Sequence, residues 1–194
     1  MDYKELTGEE KREFDRKIAE FRKWITEDIP DIQISGGNSL KHYVCYTDGS
    51  CDNLKEPHVG GAAYYILHEF REWKHASAGF VNTTNNRMEM LAIVSAVTSC
   101  PEGSYVDVYT DSQYAIHTFH LDYKLGKNID MLALFVDACK GKSGVRFFWV
   151  KGHNGDYWNE KADELSFQAY CDKCKEIGVQ VSTSPYVTGG RVKQ

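Results

Sequence analysis

The pattern Tyr-Thr-Asp followed by a small residue occurs twice, at Tyr46-Thr47-Asp48-Gly49 and at Tyr109-Thr110-Asp111-Ser112. Each copy closes a short run rich in β-formers, Tyr43-Val44-Cys45-Tyr46 and Val106-Asp107-Val108-Tyr109, and such runs read as strands. An acid straight after an apolar strand puts a charge at the carboxyl edge of a sheet, where ligand sites of α/β folds gather. For either residue alone, the competing reading is an acid that caps the following turn or helix. The repetition tilts the choice towards chemistry. Glu89 is a different case: it lies in a helical stretch with Met88, Leu91, Ala92, Val94 and Ala96 apolar around it. A carboxylate buried there needs a cation or a proton. Asp163 is one of several acids at the start of the last helical stretch, and by composition alone it reads as part of a solvated face. His153, between Gly152 and Gly155, reads on its own as a histidine of a mobile surface loop.

These side chains must be positioned by a regular framework, and the periodicities supply one. Residues 43–47, 62–67 and 73–80 read as three strands of a meander. A helix is predicted over 86–100, a strand over 106–110 and a short helix over 112–119. Another helix follows over 130–139, a strand over 145–150 and a last helix over 159–174. The order βββαβααβα indicates an α/β sandwich around a mixed sheet. Ahead of it, Thr7 and Glu10 fit a capping box. Phe14, Ile18, Phe21, Trp24 and Ile25 then recur at helical spacing. Ile29-Pro30-Asp31 stops that helix, and Ser35-Gly36-Gly37-Asn38-Ser39 reads as a linker. The expected organisation is therefore an N-terminal amphipathic helix and linker over 1–40, a catalytic domain over 41–176 and a tail over 177–194.

Composition sets the limits. The 194 residues suffice for one domain with a sizeable core, at 42% hydrophobic and 26% charged. The net charge of −5 argues mildly against a nucleic-acid partner. Acids that hold metal would leave the rest of the chain near balance, so a catalytic face can still be locally positive. No apolar run approaches the roughly 20 residues of a membrane span. The charged N-terminus lacks the apolar segment of a secretory signal, so a cytoplasmic protein with reduced thiols is expected. Cys171 and Cys174 form a lone CxxC; without a second ligand pair, two thiols on or near a helix are preferred to a zinc site.

Four blocks carry a resemblance: YTDGSC from Tyr46, TTNNRMEMLAI from Thr83, YTDSQYA from Tyr109 and VKGHNGDYWNEKADEL from Val150. In this order and spacing, over roughly residues 42–175, they resemble type 1 ribonuclease H. The resemblance implies the ribonuclease H-like fold, an α/β structure with a five-stranded mixed sheet flanked by helices on both faces. It implies a catalytic quartet at Asp48, Glu89, Asp111 and Asp163, with Asp48 bridging. It implies cleavage of the RNA strand of an RNA–DNA hybrid, with 5′-phosphate and 3′-hydroxyl products. Clustered carboxylates repel and take up protons. Two Mg²⁺ ions, for which Mn²⁺ substitutes, prefer such hard oxygen ligands and remove that penalty. In two-metal sites the ions sit about 4 Å apart, one activating water and one stabilising the leaving oxygen. His153 is implied in proton transfer or product release.

The resemblance also assigns the substrate surface. Asn85, Asn86 and Gln113 match positions lining the minor groove of the hybrid, where amides can read the RNA 2′-hydroxyls. Helix-capping asparagines are the alternative, and capping and reading are compatible. Thr84 and Asn128 match a pocket for a DNA-strand phosphate. Asn159 opens the last helix, as a cap or as a contact in the substrate region, and Asn53 is a further candidate. Three departures bear on affinity. Asn82 stands where the family often has Arg, the turn over 52–58 is more charged than usual, and the basic Trp-containing handle between the TDSQY helix and Asn128 is essentially missing. Two other functions are compatible with such a fold. A non-catalytic binding module predicts a lost acid, and none is lost. A resolvase or transposase core would cut DNA, and the TTNN and Gln113 set speaks against it. A single copy is expected, with a protein partner through the N-terminal helix as an option.

Overall fold

The computed structural model describes residues 1–25, 41–121 and 124–182. A 3₁₀ turn, Tyr3–Glu5, leads into helix α1, Gly8–Ile25. Three strands follow: β1, His42–Cys51; β2, Val59–His68; and β3, Arg71–Val81. Then come α2, Asn85–Ser99; β4, Tyr105–Thr110; α3, Gln113–Phe119; α4, Ile129–Cys139; β5, Gly144–Trp149; and α5, Tyr157–Glu176. The strands form one mixed sheet in the order β3-β2-β1-β4-β5. β1 runs antiparallel to β2 and parallel to β4, which is parallel to β5. The expected element order and the five-stranded α/β sandwich are both present.

Alternation along β1 divides the side chains between two helical layers. Tyr43 and Cys45 join Ile66, Val106 and Val108 in the main core, beneath α2, α3 and α4. The other face receives α5, whose Tyr170 and Cys174 pack with Val59. Gly49 and Gly61 let the helices come close. A Cβ on Gly49 would occupy the place of the Glu89 backbone amide, and one on Gly61 would collide with the backbone of Ser166 and Tyr170. At the end of the sheet away from Asp48, the buried Asp107 is clamped by Arg146 at 2.7 Å and 2.8 Å and by His42 at 2.9 Å.

The capping box of α1 is present: the Thr7 amide donates to Glu10 Oε2 at 2.8 Å and the Glu10 amide to Thr7 Oγ1 at 3.4 Å. Its apolar stripe packs on the chain's own core. Ile18 and Phe21 are buried, with Phe14, Trp24 and Ile25 partly so. Phe21 meets the ring of Phe135 edge-on at 5.8 Å, and Lys17 pairs with Asp137 at 2.9 Å. Burial of each such large side chain is worth about 1.5–3 kcal/mol. The entry to the helix is also tied down, because the Tyr3 amide donates to the Gly126 carbonyl at 2.8 Å. The helix stop at 29–31, the linker at 35–39 and the tail from 183 onward lie outside the described residues. Cys171 and Cys174 both lie on α5. No helix among the described residues is long and apolar enough to cross a membrane.

Candidate active site

The structure corrects one element of the sequence reading at the outset. Asp48 does not follow a strand; it lies inside β1, which runs on to Cys51 and pairs Asp48 with Ala63 of β2. What ends near Asp48 is the ladder to β4, whose last pair is Tyr46 with Tyr109. Asp48 and Asp111 therefore flank the point where β1 and β4 part. Glu89 reaches the same point from α2, because Gly49 has no side chain to hold the helix off. Carboxylate oxygens of Asp48, Glu89 and Asp111 all lie within 4.8 Å of one another.

The electrostatics of this trio are unfavourable without a counter-charge. Glu89 has its carboxyl pushed well above the usual range, first by burial and then by the charges of Asp48 and Asp111. Hydrogen bonding from the Gly49 amide and from Asn85 Nδ2, the latter 3.4 Å from Oε1, only partly offsets this. Its other oxygen, Oε2, is buried with no hydrogen-bond partner among the described residues. Asp111 is also raised, by burial and then by the charge of Asp163. Hard oxygen donors, mutual repulsion and an unpartnered buried oxygen together fit a hard divalent cation.

The remaining candidates are distributed around the trio. Asp163, on α5, is not one of the three, yet it is near enough for its charge to act on Asp111. It is mostly buried rather than part of a solvated face, with its side chain 17% exposed. His153 projects from the preceding loop with its side chain 62% exposed and Nδ1 3.7 Å from Asp163 Oδ2. Its backbone is left-handed at φ 52. Thr84 caps α2 by accepting from the Arg87 amide at 3.4 Å, so neither asparagine is the cap. Asn86 and Gln113 are exposed in the first turns of α2 and α3. Asn53 Oδ1 accepts from the Asn85 amide at 3.2 Å, which brings the charged turn after β1 to the start of α2. Asn128, left-handed at φ 61, accepts from Arg87 at 3.2 Å and donates to the Tyr114 hydroxyl at 3.0 Å. Arg87 itself is held by Asp130. Asn159 does not open α5: the helix starts at Tyr157, and Asp156 caps it by accepting from the Asn159 amide at 3.1 Å. Asn159 is buried, and its Oδ1 has no partner among the described residues.

Sequence reasoning missed three supporting residues. Gly152 lies so close to Asp111 that a Cβ would strike its carboxylate. The indole of Trp149 donates to the Asp111 carbonyl at 3.2 Å. Ser166, completely buried on α5, donates to Asp48 Oδ2. Its position in the buried series Asn159, Ala162, Ser166, Ala169 was the available signal, since a hydroxyl in an apolar helix stripe needs a partner.

Comparison with known proteins shows the family. The family model for RNase H matches residues 40–170. The chain belongs to the ribonuclease H family. Ribonuclease HI of Campylobacter jejuni is 35% identical over 139 residues, covering 67% of this chain and 92% of the relative. Ribonuclease H of Pseudoalteromonas atlantica is 39% identical over 147 residues, covering 69% and 94%. Ribonuclease H of Escherichia coli is 39% identical over 156 residues, covering 73% and 98%. As a ribonuclease H the chain is a hydrolase and a nuclease. The matched span holds all four acids and His153, and leaves α1 outside.

Proposed function

We propose that this chain is a type 1 ribonuclease H that hydrolyses the RNA strand of RNA–DNA hybrids. We further propose that it uses two Mg²⁺ ions and leaves 5′-phosphate and 3′-hydroxyl ends. The observation that carries the reading is the convergence of Asp48, Glu89 and Asp111 within 4.8 Å in a partly buried site. Asp163 and His153 stand beside it. When bound, the divalent ions supply a Lewis acid at the scissile phosphate and lower the pKa of water.

The chain's own residues supply the rest. Asp48, Glu89, Asp111 and Asp163 would hold the ions, their charges being balanced only then. His153 Nδ1, beside Asp163, carries a proton between the site and solvent, for which its exposure suits it. Asn85, Asn86 and Gln113 read 2′-hydroxyls from the helix starts beside the acids. Thr84 and Asn128 take a DNA-strand phosphate. They are held together through Arg87, whose amide Thr84 accepts and whose guanidinium donates to Asn128. Asn159, being buried, acts on the substrate region from beneath rather than by lying open to it. α3 and α4 are joined by residues 120–128 in place of a basic handle, so weak hybrid binding by the isolated chain belongs to the reading. A single-copy cytoplasmic enzyme with this 1–40, 41–176 and 177–194 organisation completes it.

The test is a cleavage assay on matched RNA–DNA hybrid, double-stranded RNA and double-stranded DNA with Mg²⁺ or Mn²⁺. Internal cuts confined to the RNA of the hybrid, abolished by chelator, are the expected result. Equal cutting of double-stranded DNA overturns the reading.

A further inference from the structure

Ser166 lies one helical turn beyond Asp163 on α5, buried from solvent and facing β1. Its single hydroxyl proton has three acceptors in reach: Asp48 Oδ2, Ser50 Oγ at 2.8 Å, and the Asp163 carbonyl of its own helix at 3.0 Å. A charged acceptor makes the stronger hydrogen bond, so the proton goes to Asp48. That leaves the Ser166 oxygen to accept, and Ser50 Oγ of β1 stands 2.8 Å away to donate to it. Two buried hydroxyls thus point in series at one carboxylate oxygen.

We propose that Ser166, oriented by Ser50, is a positioning residue for Asp48, fixing the face this carboxylate presents to a divalent cation. The inference rests on the reading of Asp48 as a metal ligand. Rotation about the bond to a carboxylate is broad and roughly two-fold, so packing alone sets it weakly. Glu89 and Asp111 lie within 4.8 Å and would drive the Asp48 carboxylate away from the trio. The Ser166 hydrogen bond opposes that turn. The donor is itself rigid, because α5 lies directly on β2: no side chain fits at Gly61 between Ser166 and the sheet. The helix that carries Asp163 therefore also locks Asp48, and one packing contact sets the geometry of two acids.

The probe is Mg²⁺ alone, titrated calorimetrically into the full chain without substrate, at a temperature where each variant is folded. Ser166→Ala should bind Mg²⁺ about tenfold or more weakly, the usual effect of losing a hydrogen bond behind a metal ligand. Ser166→Cys keeps the shape and offers only a weak donor, so it should be weakened as well. If Ser166→Ala does not fold, the Cys variant alone decides. Mg²⁺ binding at wild-type strength in the Cys variant overturns the proposal, because packing would then be the whole role of Ser166. Asp48→Asn sets the reference and should lose most of the binding heat. If Asp48→Asn binds like the wild type, the reading of Asp48 as a ligand has failed, and this inference with it. If only the Ser166 variants bind like the wild type, the inference alone has failed.

Discussion

Asp48 and Asp111 each stand two residues past the last pair of the parallel β1–β4 ladder, Tyr46 and Tyr109. Asp48 is still within β1 and Asp111 is the first residue beyond β4, yet their carboxylates come within 4.8 Å of each other. The equal offset puts them where the two backbones cease to be hydrogen-bonded and a gap opens between them. α2 fills the near side of the gap with Glu89. A sheet that brought these acids together for stability alone would be poorly built, since like charges in a half-buried place repel. The arrangement makes sense as a cradle for cations.

Glu89 gives this a pH signature. Its carboxyl is raised by burial and then by Asp48 and Asp111. An acid raised on folding costs nothing below its unfolded value, about 4.3, and costs progressively more as pH climbs towards its folded value. The metal-free protein should therefore lose stability as pH rises from that point. Glu89→Gln should flatten the slope and raise the metal-free melting temperature at neutral pH, by about 2–4 °C for each kcal/mol recovered. Mg²⁺ should flatten the wild-type slope likewise. Melting curves across pH, with chelator and with Mg²⁺, check this. A Glu89→Gln protein that melts lower with an unchanged slope would contradict it.

His153 should matter less than the acids. Its side chain is exposed and only 3.7 Å from Asp163, so water can take over part of a proton-carrying role. His153→Ala should lower kcat by about 10- to 100-fold, at or below the bottom of the usual range for general acid–base groups. KM for the hybrid should be nearly unchanged. Steady-state kinetics on a labelled hybrid separate the two constants. A variant with normal kcat and a raised KM would make His153 a binding residue instead.

The α1 helix should act on stability. Phe21 is buried against Phe135, which in turn stacks on Phe119 at 4.1 Å. Phe21→Ala should cost about 3–5 kcal/mol, as large-to-small changes of buried aromatics do. Cleavage per folded molecule should persist. Deleting residues 1–38 should lower the melting temperature or solubility in the same way. Denaturant titration and a hybrid-binding isotherm, run on both proteins, test it. Equal stability together with lost hybrid binding would make α1 a substrate-binding element.

Much of this was legible in the sequence. The Tyr-Thr-Asp repeat located Asp48 and Asp111, and the Thr7/Glu10 pair with the stripe ending at Trp24 and Ile25 located α1 and its buried face. These are local signals, carried by periodicity and by turn and cap chemistry. What was not legible arises between elements distant in the chain. By residue type β1 reads as ending before Asp48, because Asp and Gly are poor strand formers. It continues because β2 pairs with it through Cys51. Asn159 looked like the opening of α5 because no apolar periodicity precedes it, whereas Asp156 caps the helix. Gly152, Trp149 and Ser166 acquire meaning only once β5 and α5 are docked beside Asp111 and Asp48. By composition Asp163 reads as solvated, because its neighbours Glu160 and Glu164 are charged. The fold puts it on the site side of the helix, opposite His153.

Asp48→Asn tests the central claim most directly. The substitution keeps the shape of the side chain and removes the charge with which it would hold a metal ion. The measurement is Mg²⁺-dependent cleavage of a hybrid end-labelled on its RNA strand, wild type against variant, at saturating Mg²⁺. Folding is followed by circular dichroism and hybrid affinity by a binding isotherm. The expected result is RNA cleavage near background in the variant, an intact fold, and hybrid binding weakened far less than turnover. Turnover at the wild-type rate would contradict the claim, for the Asp48 carboxylate would then hold no ion that the reaction needs.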